Sequence, residues 1–262
     1  MTTLTPSSDA AAQTSIEIAA KALSLPTVRT QAASLADAAA RDGATHRAYL
    51  AELLAAEVDA RQTRRRERRM KEARFPRIKT LAAFDFDAAP DIPPATIATL
   101  ADGSWIDRGE PVVLLGDSGT GKTHLLIALG VAACEQGRSV RYLTAAQLVN
   151  ELVEAADERH LSRTVARYGR LDLLLLDELG YLQLDTHGAE LLFQVLTERE
   201  ERASVAVASN APFSEWTSTF TDPRLAAAVV DRLTFNAHII QTGSDSYRLR
   251  STRNTRKPRH PA

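Results

Sequence analysis

Residues 116–123 read Gly-Asp-Ser-Gly-Thr-Gly-Lys-Thr, directly after the apolar run Pro111-Val112-Val113-Leu114-Leu115 and before the helix-like stretch His124 to Gln136. This spacing suits a nucleotide phosphate cradle. Gly116, Gly119 and Gly121 admit backbone conformations closed to other residues, so the N–H groups of the loop, from Asp117 and Ser118 through Thr120 to His124, can turn toward phosphate oxygens at a helix N-terminus. Lys122 is expected to reach the β- and γ-phosphates. Thr123 is expected to offer its hydroxyl to a Mg²⁺ ion that bridges them, because that ion keeps few protein ligands.

A second chemical feature is Leu173-Leu174-Leu175-Leu176-Asp177-Glu178, an apolar strand ending in two carboxylates about 55 residues beyond the phosphate loop. Ligands of a parallel sheet bind at the carboxyl ends of its strands, so Asp177 is expected in the metal's coordination sphere and Glu178 beside the γ-phosphate, as base or positioner of water. The run Ser204-Val205-Ala206-Val207-Ala208 leads into Ser209-Asn210, which puts the Asn210 amide at the same cleft. Arg224 and Arg232 lie on a later helix with no evident route to their own subunit's nucleotide. Arg232 is the candidate for an arginine presented to a neighbour's γ-phosphate, with a local salt bridge as its other reading.

The elements that must position these groups follow from the apolar pattern. Strands are expected at 111–115, 139–144, 171–177, 204–209 and 238–242, alternating with helices at 123–136, 145–156, 161–169, 188–202 and 222–233. Alternation with strands as continuous apolar runs gives an α/β fold with a parallel five-stranded sheet flanked by helices. Upstream, Pro26 and Gly43 bracket one helix. Thr45 caps a second, which bears Tyr49, Leu50, Leu53, Leu54 and Val58 as an apolar stripe in need of a partner surface.

A net charge of −1 conceals strong segregation. Residues 61–79 carry ten Lys and Arg against Glu67 and Glu72, and residues 247–262 carry six and no acid, while residues 80–246 sum to −12. Arg64, Arg65, Arg68, Arg69, Lys71 and Arg74 are therefore expected to meet a nucleic-acid phosphate backbone, in a sequence-tolerant and salt-sensitive manner, with a solvated charged helix as the other reading. No aromatic residue interleaves them to stack on bases. Cys134 is the single cysteine, so no intrachain disulfide is expected. No apolar run approaches a membrane span and the N-terminus lacks a signal pattern, so a cytoplasmic protein with no membrane partner is expected.

Taken together, the Ala/Leu hairpin, the Arg-rich helix, Phe75-Pro76, Phe84-Asp85-Phe86, Gly116 to His124, Leu176 to Tyr181, Ser209-Asn210, Asp231-Arg232-Leu233 and Ser246-Tyr247-Arg248-Leu249 resemble the IstB-type helper ATPases of insertion sequences, relatives of DnaC-type helicase loaders within the AAA+ class. The resemblance implies an ATP- and Mg²⁺-dependent homo-oligomer that assembles on duplex DNA with a partner transposase, with the roles argued above for Lys122, Thr123, Asp177, Glu178, Asn210 and Arg232. It places a flexible N-terminus at 1–24, a helical oligomerisation and DNA-binding domain at 25–75, an AAA+ ATPase domain at 76–246 and a basic tail at 247–262. Asp117-Ser118 departs from the Pro-Pro of many AAA+ loops. Too few residues follow the last strand for a full helical lid, leaving Arg248 as a substitute sensor. A helicase loader, a nucleotide or small-molecule kinase and a hydrolytically inactive DNA adaptor are the rival readings. Asp177-Glu178 with Asn210, suited to activating water, and the lack of an Arg-rich acceptor lid disfavour the kinase, and the intact Lys122, Thr123, Asp177 and Glu178 set disfavours the inactive adaptor.

Overall fold

A computed structural model describes residues 6–247 apart from 182 and 245, and divides the chain into two compact units at Glu67/Arg68. The division falls inside one helix, eight residues before the boundary expected after Phe75, because Met70, Ala73 and Phe75 pack in the core of the second unit. The tail from Arg248 onward, Arg248 included, lies outside the described residues.

The first unit is helical. Helices α1 (Pro6–Ala22), α2 (Pro26–Arg41) and α3 (His46–Ala73) follow one another, so the segment expected to be flexible, 1–24, instead carries a helix. Its Ala-rich sequence favours the helix, Asp9 and Lys21 complement the dipole at its two ends, and Ile16 and Ala20 join Val28, Ala32, Tyr49 and Leu53 in a small core. The N-terminus of α2 has no cap of its own at Leu25. Glu57 of α3 supplies one from 30 residues away, its Oε2 accepting from Thr27 N at 2.7 Å and Val28 N at 3.1 Å. Burial pushes the Glu57 carboxyl up, but those backbone donors and the Arg64 charge outweigh burial and hold it below its ordinary value. Thr45 caps α3 as expected, accepting from Ala48 N at 3.2 Å. Of the apolar stripe only Leu53 is buried; Leu50, Leu54 and Val58 are exposed.

In the second unit, α4 (Pro94–Ala101) and α5 (Ser104–Asp107) precede the alternating region: β1 (Val112–Leu115), α6 (Lys122–Glu135), β2 (Val140–Thr144), α7 (Ala145–Asp157), α8 (Leu161–Gly169), β3 (Leu173–Leu179), α9 (Thr186–Arg199), β4 (Ser204–Ser209), α10 (Trp216–Thr219), α11 (Pro223–Thr234) and β5 (His238–Gln241). The sheet is parallel throughout, in the order β2-β3-β4-β1-β5. Strands covered on both faces explain the unbroken apolar runs. Val112, Leu114, Leu173, Leu175, Ala206 and Ala208 face α4 to α6. Val113, Leu115, Leu174, Leu176, Val205 and Val207 face α7 to α9 and α11.

Local signals start the helices where the sheet needs them. Thr144 and Gln147 form a reciprocal capping box at α7, and Asp185 and Asp222 cap α9 and α11 through Gly188 N and Arg224 N. A buried arginine that the apolar pattern does not anticipate, Arg199, donates to the carbonyls of Tyr168, Asp172 and Ser204. Burial lowers its pKa to about 10. The strand order has one functional consequence: β3, β4 and β1 are consecutive neighbours, so the segments following them emerge side by side at one edge of the sheet.

Candidate nucleotide site

The loop between β1 and α6 is fastened from both sides. Gly116 N donates to Ser209 O at the end of β4, and Asp117 N donates to Gly243 O beyond β5. Thr242 adds a buried bolt: its hydroxyl donates to Leu115 O at 3.1 Å and shares a 2.6 Å hydrogen bond with Thr120 Oγ1. Two glycines are required by space as well as by dihedral. Gly116 at φ 151° leaves no room for a Cβ against Thr242 Oγ1 and the Gly243 carbonyl, and Gly121 at φ 101° would bring one to 2.8 Å from the Phe84 ring. Helix α6 starts immediately after Gly121 with no side-chain cap. Its first N–H groups are therefore oriented for an anion. The Lys122 ammonium arches back over the loop and donates to Gly116 O at 2.6 Å and Asp117 O at 2.7 Å.

Across the cleft, the end of β3 presents the two carboxylates. Asp177 is buried and both its oxygens are engaged: Oδ1 accepts from Glu178 N at 2.9 Å and Oδ2 from the Tyr142 hydroxyl at 2.8 Å. Burial, then the nearby Asp177 charge, raises the Tyr142 phenol well above its ordinary range, which keeps it a proton donor. Glu178 is exposed and takes φ 61°, a left-handed conformation that costs a non-glycine residue about 1–2 kcal/mol and is held only by its surroundings. Asn210 Oδ1 is buried and has no hydrogen-bond partner among the described residues. An orphaned acceptor in a cleft wall calls for a donor from a ligand or water.

Ser118 to His124, Asp177, Glu178 and Asn210 all line one cleft of about 380 Å³. Gly116 and Asp117 line the adjoining hollow, again with Asn210. Thr123 and Asp177 thus line the same cleft. The described residues contain no cluster of three His, Cys, Asp or Glu that would cage a metal by itself. That donor set fits Mg²⁺, which takes one or two protein oxygens and completes its shell from phosphate and water.

A further wall of the cleft is a strap, residues 79–91, which includes the Phe84-Asp85-Phe86 run. His124 meets Thr80 O at 2.9 Å and the Phe84 ring edge-on at 5.1 Å, and Phe84 packs on Phe86 at 4.8 Å. Tyr142, Thr242 and Phe84 are the site-shaping residues that motif spacing does not reveal. Each acts across a long sequence interval, Tyr142 from β2, Thr242 from just beyond β5 and Phe84 from the strap.

Arg232 lies elsewhere. It is on α11, ion-paired with Glu200 and stacked over Phe193 at 5.0 Å, in a cavity with Arg108, Pro111, Ala203 and Val205, at the amino-terminal ends of β1 and β4. The phosphate loop is at their carboxyl ends, so Arg232 does not serve the nucleotide site of its own chain. The basic set also divides. In the first unit Arg64 is paired with Glu57. In the second, Arg68 and Arg69 are paired with Glu72, and Arg69 is further tied to Gly137 O. Arg65, Lys71 and Arg74 are exposed and have no ion pair among the described residues.

A phosphate loop after the first strand, an acidic pair on the third, an asparagine after the fourth and a sheet of order β2-β3-β4-β1-β5 define a P-loop nucleotide-binding unit of the AAA+ class. Solved structures share this fold. AMPPCP-bound DnaA from Aquifex aeolicus aligns with a TM-score of 0.53 and 22% identity over 63% of this chain and 50% of that one, so the likeness spans half of the DnaA chain. DnaI aligns with a TM-score of 0.52 and 19% identity over 64% of this chain and 89% of that one.

Within that class, the chain belongs to the family of IstB-like ATP binding proteins, matched over residues 18–255. Its relatives include a Pseudomonas aeruginosa protein named for ATP binding and the insertion sequence IS21, 38% identical over 84% of this chain and 83% of the relative. A Geobacillus stearothermophilus protein named for ATP binding and IS5376 is 36% identical over 88% and 92%.

Proposed function

We propose that this chain is an ATPase that assembles as a homo-oligomer on duplex DNA and delivers that DNA to a partner transposase, with hydrolysis resetting the assembly. The observation that carries the hydrolytic part is the meeting of Lys122, Thr123, Asp177, Glu178 and the unpartnered Asn210 Oδ1 in one cleft. Insertion-sequence relatives at 36–38% identity support the transposition context.

In this mechanism the α6 N-terminus and the loop N–H groups hold the β- and γ-phosphates, and Lys122 leaves the loop carbonyls to pair with them. Thr123 and Asp177 would hold Mg²⁺, which when bound neutralises charge on the phosphate oxygens. Glu178 accepts a proton from the attacking water while Asn210 orients that water through Oδ1. Arg232 supplies a cation to a neighbouring subunit's γ-phosphate. Its place at the edge of the sheet opposite its own phosphate loop supports a role in trans, and requires its Glu200 pair to open. Arg65, Lys71 and Arg74 contact DNA phosphates, with the paired Arg64, Arg68 and Arg69 contributing less.

The test is complementation. Lys122→Ala and Arg232→Ala should each lack turnover alone, whereas their mixture should regain a fraction of it with duplex DNA, because some interfaces then join an intact loop to an intact arginine. A mixture as inactive as its parts removes the shared site.

A further inference from the structure

We infer that Tyr142 is a positioning residue that fixes the metal-facing carboxylate of Asp177. The inference rests on the reading of Asp177 as a Mg²⁺ ligand and extends it to a strand that contributes no wall to the cleft.

The sheet register explains how the contact arises. Thr144 of β2 stands opposite Asp177, and Tyr142 stands opposite Leu175. Side chains two positions apart on a strand share a face, so Tyr142 and Asp177 project to the same side of the sheet. The diagonal between them is too long for a short side chain and suits a tyrosine, whose hydroxyl lies 2.8 Å from Asp177 Oδ2. Glu178 N holds Oδ1. Together the two donors fix the rotation of the carboxylate about its last bond. The remaining lone pairs then have set directions.

The ring itself is held in place. Phe75 packs on it with centroids 6.5 Å apart. Phe75 in turn presses so closely on α6 that a Cβ at Gly130 would lie 3.0 Å from its ring. Apolar packing would be served equally by phenylalanine at 142. The hydroxyl adds a hydrogen bond that orients a carboxylate, the kind of supporting contact that governs affinity at oxygen-ligated metal sites.

The readout is Mn²⁺ binding, followed by electron paramagnetic resonance on full-length protein saturated with a non-hydrolysable ATP analogue. Tyr142→Phe keeps the ring packed on Phe75 and should raise the Mn²⁺ dissociation constant about tenfold. Binding of the analogue in EDTA should stay unchanged, which a general disturbance of the fold would not allow. Asp177→Asn calibrates the experiment. Loss of Mn²⁺ affinity in Asp177→Asn with none in Tyr142→Phe overturns the inference alone, whereas unchanged affinity in Asp177→Asn overturns the assignment of Asp177 and the role of Tyr142 with it. Should Tyr142→Phe fail to fold, Phe75→Leu decides. It keeps the hydroxyl but frees the ring, and should raise the constant about threefold; an unchanged constant in that variant counts against the proposal.

Discussion

Two helix N-termini in this molecule meet the same physical problem in opposite ways. Helix α2 begins after Leu25 with no cap of its own, and a carboxylate from within the protein, Glu57, takes the N–H groups of Thr27 and Val28. Helix α6 begins after Gly121, also without a side-chain cap, and there the surrounding loop, strap and strand ends form a cleft instead. In both places the exposed donors and the helix dipole ask for negative charge. A protein carboxylate on one makes a structural joint, and under the proposed function a ligand phosphate on the other makes a switch. The difference is one of surroundings: Glu57 is locked in a small apolar core, whereas α6 opens onto loops tied to three strands.

The sharpest way to break this comparison is to disable the second N-terminus. Lys122→Ala removes the cation that shares the phosphates with α6, and ATP affinity should fall by about 100-fold or more, in line with losing strong charge-assisted hydrogen bonds. Fluorescent-nucleotide titration checks it, and near-normal binding would show that α6 is not the phosphate seat. Glu178→Gln leaves that seat intact. It should bind ATP normally while turnover drops about 10²- to 10⁴-fold, the usual worth of a general base.

Disabling the first N-terminus should damage structure and spare nucleotide binding. Glu57→Ala leaves two backbone donors uncapped and should destabilise the helical unit by about 2–4 kcal/mol. Amide hydrogen exchange at Thr27 and Val28 reports it, while exchange along α6 should stay unchanged. The joint is also pH-dependent with a defined sign. Because the folded state lowers the Glu57 pKa from its ordinary 4.5, its contribution is complete above that value and is lost as the pH falls through the folded pKa. Protection at Thr27 and Val28 that does not weaken on acidification to pH 3 would argue against the carboxylate cap.

The sequence makes one of these N-termini far easier to find than the other. The phosphate loop is legible because every residue it needs lies within eight positions, and the strands are legible because burial on both faces removes all polarity from them. Asp177 and Asn210 follow from strand ends, which parallel topology aligns. Glu57 is not legible: an isolated Glu on a charged helix looks solvated, and only the fold of the hairpin brings it to a site 30 residues back. The same holds for Thr242, which bolts a loop 122 positions away at Thr120. Helix α1 was hidden because its composition, rich in Ala, Ser and Thr, suits a free terminus as well as a helix. Charge counting likewise cannot show which arginines of the basic strip are paired: Glu57 holds Arg64, and Glu72 is shared by Arg68 and Arg69.

That last point makes a graded test. Phosphate contacts are salt-dependent, with a slope of about 0.9 per contact in log affinity against log salt. Replacing Arg65, Lys71 and Arg74 with Gln should therefore flatten the slope for duplex DNA by about 2.7. The matching replacement of Arg64, Arg68 and Arg69 should flatten it less, because those side chains are already paired. Equal slopes for the two triple variants would mean that the ion pairs open freely on DNA.

The smallest expected effect probes how firmly the open N-terminus must be framed. Thr242 lines the same cleft, and its hydroxyl joins Leu115 O to Thr120 Oγ1. Thr242→Val preserves the shape and removes both bonds, at a cost of about 1–2 kcal/mol. If the loop is held ready for phosphate, that cost appears mostly in binding, as an ATP affinity lower by about 5- to 30-fold with little change in thermal midpoint. If the loop forms only around its ligand, the empty protein has little framing to lose, and Thr242→Val leaves affinity nearly intact. Calorimetric titration with ATP separates the two, and so decides whether the α6 N-terminus is pre-formed, as that of α2 is by Glu57.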